Sequence, residues 1–266
     1  MRGPVEISRR AMLEGAVGIL VLPLSASAAL ATPESMAAAM EEALGKGTPM
    51  KAGRVRIELP ELAENGNSVP LKLTVDSPMT PADHVKMLYV FSEKNPVSNV
   101  VRFHLGPRSG VARVQTSIRL AATQRITAVA RMSDGSLWSG AADVIVYPGC
   151  VPRRDVRRPP MPATRIVVPA KAKKGEIVEI KTIINHPQET GFRRDNVGRP
   201  IPRDIITRFT CTYAGEEVFR MDLFTGVAAN PFVAFTTIAT ETGDLVFEWT
   251  DQHGTVTREQ ARITVA

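Results

Sequence analysis

The chain has 266 residues, a formal charge of +6, 44% hydrophobic residues and 23% charged ones. That length allows one or two domains with cores of their own, and the composition is ordinary for a soluble globular protein. Aromatics make up only 5% of the chain and no stacking motif accompanies the basic residues, which argues against nucleic-acid binding; the charge suits small anions or acidic protein surfaces.

The first residues read as an export signal. Ser8-Arg9-Arg10-Ala11-Met12-Leu13 precedes an apolar run from Ala16 to Leu24, followed by cleavage choices such as Ala29-Leu30-Ala31. Paired arginines ahead of a modest hydrophobic region fit the twin-arginine route, which places the mature protein in the periplasm. The run is shorter than the ~20 residues of a membrane span, so none is expected. Removing residues 1–31 takes away three arginines and two glutamates and leaves a charge of +5.

Pro33 to Leu44 is rich in good helix formers and ends near Gly45 and Gly47, which predicts a short helix. Alternating strands follow. Val55, Ile57 and Leu59 form the first, Asn65-Gly66-Asn67 turns, and Val69, Leu71, Leu73 and Val75 alternate next. Met87–Phe91, Val101–Leu105 and Val111–Leu120 are further strands. Ile126 to Met132 then leads through Ser133-Asp134-Gly135-Ser136 into a return strand with Val144 and Val146. The second half repeats the plan. Ile166 and Val168 open it, Lys173-Lys174-Gly175 turns, and Val178 to Ile184 alternate. Phe209, Cys211 and Tyr213 share a face, strands cover Val218–Leu223 and Phe232–Ile238, and Leu245, Phe247 and Trp249 alternate. Asp251-Gln252-His253-Gly254 turns into a last strand with Ile263 and Val265. The pattern predicts an all-β chain with two immunoglobulin-like sandwiches after a short N-terminal helix.

Between the halves, residues 147–162 hold five prolines, four arginines and one of the two cysteines. Such a segment is expected to be an exposed linker. Its thiol, Cys150, is nucleophilic only as thiolate, a form that Arg153, Arg154, Arg157 and Arg158 favour. The same arginines attract oxyanions. The alternative is a disulfide with Cys211, although Cys211 sits at a core-facing position where a free cysteine acts as a small hydrophobe. His84, His104, His186 and His253 are scattered without metal-ligand spacing, and surface or hydrogen-bonding roles suit them better. Arg193-Arg194-Asp195 and Arg203-Asp204 offer ion pairs on a loop, although such charges are usually a solvated surface. No nucleophile elbow, Walker loop, dinucleotide fingerprint or Cys-x-x-Cys occurs. The expectation is a protein without cofactor, metal site or turnover of its own.

The second half carries specific runs: Ile166 to Glu176, Asn185-His186-Pro187-Gln188-Glu189-Thr190-Gly191-Phe192-Arg193-Arg194-Asp195, Ile201 to Ile206, and Ala229-Asn230-Pro231. Across 164–266 these resemble SoxZ, a subunit of the bacterial sulfur-oxidation carrier. Ile57-Glu58-Leu59-Pro60, Ala63-Glu64-Asn65-Gly66 and Val69-Pro70 resemble the partner subunit SoxY over about 35–150. The chain is similar to a SoxY–SoxZ fusion, which implies two immunoglobulin-like β-sandwich domains packed together as an intramolecular SoxY-like/SoxZ-like pair. Its expected parts are a signal (1–31), a SoxY-like sandwich with its helix (32–149), a linker carrying Cys150 (150–163) and a SoxZ-like sandwich (164–266).

The resemblance implies that Cys150 carries sulfur intermediates covalently between enzymes. These are a conjugating c-type cytochrome that attaches thiosulfate, a manganese hydrolase that releases sulfate and a sulfane dehydrogenase. Gly149 gives the arm local freedom, and Arg153 and Arg154 attract the anion. The family's arm reads Gly-Gly-Cys-Gly-Gly; here Pro148, Val151 and Pro152 stand at three of the four glycine positions. Fused carriers of this type are also associated with quinoprotein alcohol dehydrogenase systems. The alternative function is therefore a binding or assembly module for such a system, with the cysteine unused.

Overall fold

The computed structural model describes residues 32–147 and 164–266. The export signal expected over residues 1–31 and the linker expected over 150–163, with Pro148 and Gly149 before it, lie outside the described residues. Helix α1 spans Pro33–Leu44, as the composition predicts. Thr32 and Ser35 cap its start reciprocally, Pro33 occupies its first turn, and Gly45 closes it with its amide on the Glu41 carbonyl.

Nine strands make up the rest of the first half. They are β1 (Met50–Ala52), β2 (Val55–Glu58), β3 (Leu62–Ala63), β4 (Val69–Val75), β5 (Val85–Ser92), β6 (Asn99–His104), β7 (Arg113–Ile118), β8 (Gln124–Met132) and β9 (Leu137–Val146). The second half adds β10 (Thr164–Val167), β11 (Lys171–Ala172), β12 (Ile177–Ile184), β13 (Ile206–Tyr213), β14 (Glu216–Leu223), β15 (Phe232–Ile238), β16 (Gly243–Asp251) and β17 (Val256–Val265). Each predicted strand is present. The burial of β4 alternates strictly, with Val69, Leu71, Leu73 and Val75 inward, as its sequence requires.

The chain is all-β with two immunoglobulin-like halves, and the halves do more than lie against each other. One sheet runs β1-β9-β8-β5-β6-β14-β13-β16-β17-β11, with β3 added beside β9; the other runs β10-β12-β15-β7-β4-β2. Both sheets therefore cross from one half to the other. β6 pairs antiparallel with β14 from Val101↔Leu223 to His104↔Arg220. β7 pairs with β15 through Thr116↔Val233 and Gln115↔Ala234. The physical reason is edge closure: each half alone would leave these strands with unpaired amides and carbonyls. Hydrophobic alternation identifies a strand but not its neighbour, so this joining was outside the reach of the pattern.

A single core follows from the joined sheets. Buried side chains of both halves form one contiguous cluster. At its centre Phe219 stacks on Phe235 with ring centroids 4.0 Å apart, and Phe103 of the first half lies 6.2 Å from Phe219. A second, smaller cluster lies on the outer face of the larger sheet, where Met36, Met40 and Ala43 of α1 pack on Tyr89, Phe91, Val129 and Leu137. Arg131 reaches from β8 to the Leu44 carbonyl at 3.0 Å, a cation at the helix C-terminus.

Replacing Phe219 by alanine should cost about 3–5 kcal/mol, the usual range for a buried Phe. The two tryptophans report one half each, Trp138 in β9 and Trp249 in β16. In single-tryptophan variants, F219A is expected to lower both urea midpoints together. A drop confined to Trp249 would mean that the halves unfold separately.

Candidate functional site

The predicted site residues Cys150, Gly149, Arg153 and Arg154 lie outside the described residues. The structure does describe the two roots of that segment. At the first, β3 runs parallel to the end of β9, with Leu62 opposite Ile145 and Ala63 opposite Val146. The Ile145 amide donates to the Glu61 carbonyl at 3.0 Å and the Tyr147 amide to the Ala63 carbonyl at 3.1 Å. Between them, the Val146 amide donates to Thr123 Oγ1 at 3.0 Å. Every residue from 145 to 147 is thus tied down. At the second root, Thr164 donates its hydroxyl to Glu259 at 2.7 Å and pairs opposite Ile184.

Val146 also packs beside Gly66, a residue of the seam between the halves. A Cβ on Gly66 would fall 2.9 Å from Val146 Cγ1 and closer still to the Leu120 carbonyl, so only glycine allows this approach. Beside it is a cavity of about 170 Å³ lined by Gly66, Asn67, Asn95, Arg119 and Leu120 from the first half, and by Thr190, Phe192 and Gly226 from the second.

Arg119 is the clamp of this seam. Its guanidinium donates to the carbonyls of Pro187 at 3.1 Å, Gln188, and Val227 at 3.3 Å; its amide donates to Gly226 at 2.7 Å. Burial pulls its pKa below the usual arginine value, and the nearby Glu189 carboxylate opposes that shift. Asn95 braces the same strand end, with its amide nitrogen on the Arg119 carbonyl at 2.8 Å and its oxygen accepting from Ala121 and Gln124. These donors are already directed at protein carbonyls, so the arrangement holds the halves in register rather than offering a ready anion cradle.

The Asn185–Asp195 motif packs against this clamp. Gln188 is fully buried and accepts the Ile206 amide at 2.6 Å. Glu189 pairs with Arg193. The charges of Arg193-Arg194-Asp195 and Arg203-Asp204 divide between ion pairing and hydrogen bonding on an exposed loop. Arg193 takes the Glu189 pair, Asp204 Oδ1 lies 3.5 Å from His186 Nε2, and the rest bond to neutral groups. Arg194 donates to the Gly198 carbonyl, Asp195 accepts loop amides, and Arg203 donates to Gln252. A tight loop turns neighbouring side chains away from one another, which leaves each to find a more distant partner.

Of the four histidines, His104 has a role no spacing announced. It sits on β6 directly opposite Arg220 of β14. Its Nε2 is 2.7 Å from Asp222 Oδ2 and its Nδ1 is 2.7 Å from Arg220 Nη2. Arginine can only donate and a carboxylate can only accept, so the ring proton belongs on Nε2. Asp222 also lies 3.6 Å from Arg208. The only trace in the sequence is a polar residue at alternate positions of two strands. Among the described residues no cluster of His, Cys, Asp and Glu could hold a metal, and no helix is long and apolar enough to cross a membrane.

Cys211 faces the core with 0% exposure and is free. Burial pushes its thiol far above the ordinary cysteine value. Its position matches the small-hydrophobe reading and makes it a poor partner for a linker thiol.

The Asp222 cluster gives a pH prediction. Burial raises the Asp222 pKa, but the His104 hydrogen bond and the nearby charges of Arg220 and Arg208 outweigh it and hold the carboxyl below its usual range. A depressed carboxylate stabilises the fold above its unfolded pKa, and that contribution is lost as pH falls through the folded value. Asp222→Asn should therefore destabilise the protein by about 1.5–3 kcal/mol at pH 7, the scale of a hydrogen bond to a charged group. Urea titrations are expected to show this gap closing as the pH drops below the carboxylate range. A gap that does not change with pH would contradict the assignment.

The chain's likenesses agree with its division. Residues 40–150 match the family model "Sulfur oxidation protein SoxY", and residues 165–262 match "Sulphur oxidation protein SoxZ". Among solved structures, the sulfur carrier protein SoxY from Chlorobium limicola f thiosulfatophilum is 24% identical, with a TM-score of 0.37, over 42% of this chain and 92% of that one. A putative superoxide reductase from Thermotoga maritima is 21% identical, with a TM-score of 0.32, over 37% of this chain and 93% of that one. Scores this low give neither structure weight in assigning function. No curated protein matched the chain. With one family model on each half, meeting across the linker, this chain belongs to the sulfur-oxidation carrier family as a SoxY–SoxZ fusion.

Proposed function

We propose that the chain is an exported, periplasmic carrier that holds sulfur intermediates covalently on Cys150 and performs no turnover itself. The observation that carries this reading is the position of Cys150. It is the last residue of the SoxY match, and fifteen residues later the SoxZ match begins. A SoxY-like and a SoxZ-like half are paired through both sheets, and Tyr147, whose amide is held by the Ala63 carbonyl, lies three residues before the thiol.

The domain reading follows the same lines: a twin-arginine signal over 1–31, a SoxY-like unit over 32–149, a linker over 150–163 and a SoxZ-like unit over 164–266. In the chemistry proposed, the Cys150 thiolate and thiosulfate form an S–S bond. The product is a cysteine S-thiosulfonate, and two electrons pass to the haems of a conjugating c-type cytochrome. Water then attacks the terminal sulfonate sulfur in a manganese hydrolase. The S–S bond breaks, sulfate and two protons leave, and a persulfide stays on Cys150 for a sulfane dehydrogenase. Gly149 beside the thiol and the charge of Arg153 and Arg154 support this role through backbone freedom and anion attraction.

A second reading has its own support. Pro148, Val151 and Pro152 stand where the family carries glycine, and side chains that add bulk or fix φ narrow the openings such an arm can enter. This favours a binding or assembly role beside a quinoprotein alcohol dehydrogenase, with Cys150 unused.

Mass spectrometry separates the two. Protein given thiosulfate and the conjugating cytochrome is expected to gain one thiosulfonate on Cys150, and Cys150→Ser to gain none. Cys150→Ser cells that grow on the relevant substrate like wild type, while a deletion strain fails, would reverse the assignment in favour of the second reading.

A further inference from the structure

The outer face of the larger sheet is covered at one end and bare at the other. In β9, odd-numbered residues point outward. Leu137 lies beneath α1, Asp143 faces solvent, and Ile145 and Tyr147 follow. Leu62 of β3 lies opposite Ile145 on the same side. Leu62 is 46% exposed, Ile145 55% and Tyr147 61%, whereas Ala63 and Val146, which point inward from the same strands, are buried. Beside this stripe Arg125 grips Asp143 with two bonds of 2.8 Å, which fixes a polar border.

We propose that Leu62, Ile145 and Tyr147 form the docking face for the hydrolase that releases sulfate from the Cys150 cargo. This inference rests on the carrier reading above. Its argument is reach. Cys150 follows Tyr147 by three residues, and three residues span at most about 10 Å. An enzyme that brings its reacting atoms to that thiol must lay the rim of its opening on whatever surrounds Tyr147. What surrounds it is an apolar centre containing a tyrosine, with an ion pair at its edge, and recognition surfaces have this composition. The matching surface is a mouth lined with apolar side chains. The hydrogen bonds that immobilise residues 145–147 keep the stripe fixed, so contact costs little ordering.

The test loads the full chain chemically and reads its unloading. The Cys150 thiolate attacks an inner sulfur of tetrathionate, an S–S bond breaks, thiosulfate leaves, and the thiosulfonate remains on the cysteine. Purified manganese sulfate-releasing hydrolase is then supplied. Wild type and the neutral variants Ile145→Ser, Tyr147→Ser and the Leu62→Ser/Ile145→Ser pair are compared. The expected result is a fall of about tenfold or more in kcat/KM for sulfate release with kcat nearly unchanged, while tetrathionate loading and the thermal midpoint stay close to wild type.

Sulfate release from the variants at the wild-type rate would overturn the docking face and leave the carrier reading standing. A changed tetrathionate rate would also overturn it, because the stripe would then be holding this chain's own linker. The same holds for a wild-type dimer that the substitutions dissociate, since the occupant would be a second copy. Wild type that loads but is never unloaded would remove the carrier reading and the docking face together.

Discussion

Two strand pairings decide how this molecule is built. Once β6 meets β14 and β7 meets β15, two sandwiches with open edges become one body with a shared core. The hydrogen bonds of those ladders satisfy backbone groups that neither half can satisfy alone. They also set the register that brings His104 opposite Arg220, and Arg119 within reach of the 187–188 carbonyls. Because the halves share one chain, their meeting is intramolecular. The effective concentration of each for the other is set by the sixteen intervening residues rather than by expression level.

The seam in turn supports the root of the thiol-bearing segment. Arg119 and Asn95 fix the end of β7, Leu120 and Gly66 pack beside them, and Val146 closes against Gly66. From there only Tyr147 separates the described fold from the segment that carries Cys150. The contacts therefore run from the interface between the halves to the base of the arm without a gap. The Asn185–Asp195 motif that marks the second half is part of this support, since its carbonyls are what Arg119 holds.

The features read from sequence were those with a local physical signature. The helix was visible because Thr32, Pro33 and Gly45 bracket a run of good formers. The strands were visible because one buried face imposes a period of two, as in β4. Cys211 could be placed in the core because Phe209 and Tyr213 share its side of β13. The partners of His104 could not be foreseen, because Asp222 lies 118 positions away and alternation says only that each faces out of its strand. Arg119 fell inside the predicted strand Val111–Leu120 with nothing in the sequence to single it out. Its role depends on which loop of the other half arrives there, and that is a property of the joined sheets. The charges of the 193–204 loop were legible as ion pairs or solvated surface, and Arg193 does pair with Glu189. Which partner each finds was not legible, because adjacency in sequence is a poor guide where the backbone turns tightly.

The glycine substitutions around Cys150 and the apolar stripe at its root can be weighed together. Glycine permits backbone angles that other residues resist, whereas proline fixes φ by covalent geometry and valine adds a branched side chain. An arm with proline at 148 and 152 gives up some freedom to adapt to a narrow channel, and an enzyme that accepts it needs a wider mouth. A wider mouth grips the arm itself less closely, so more of the binding free energy must come from the protein surface around it. Leu62, Ile145 and Tyr147 supply apolar area where that demand falls, on a base that the seam keeps rigid. In the carrier reading the loss of glycine around the thiol is thus coupled to the bare hydrophobic face beside it.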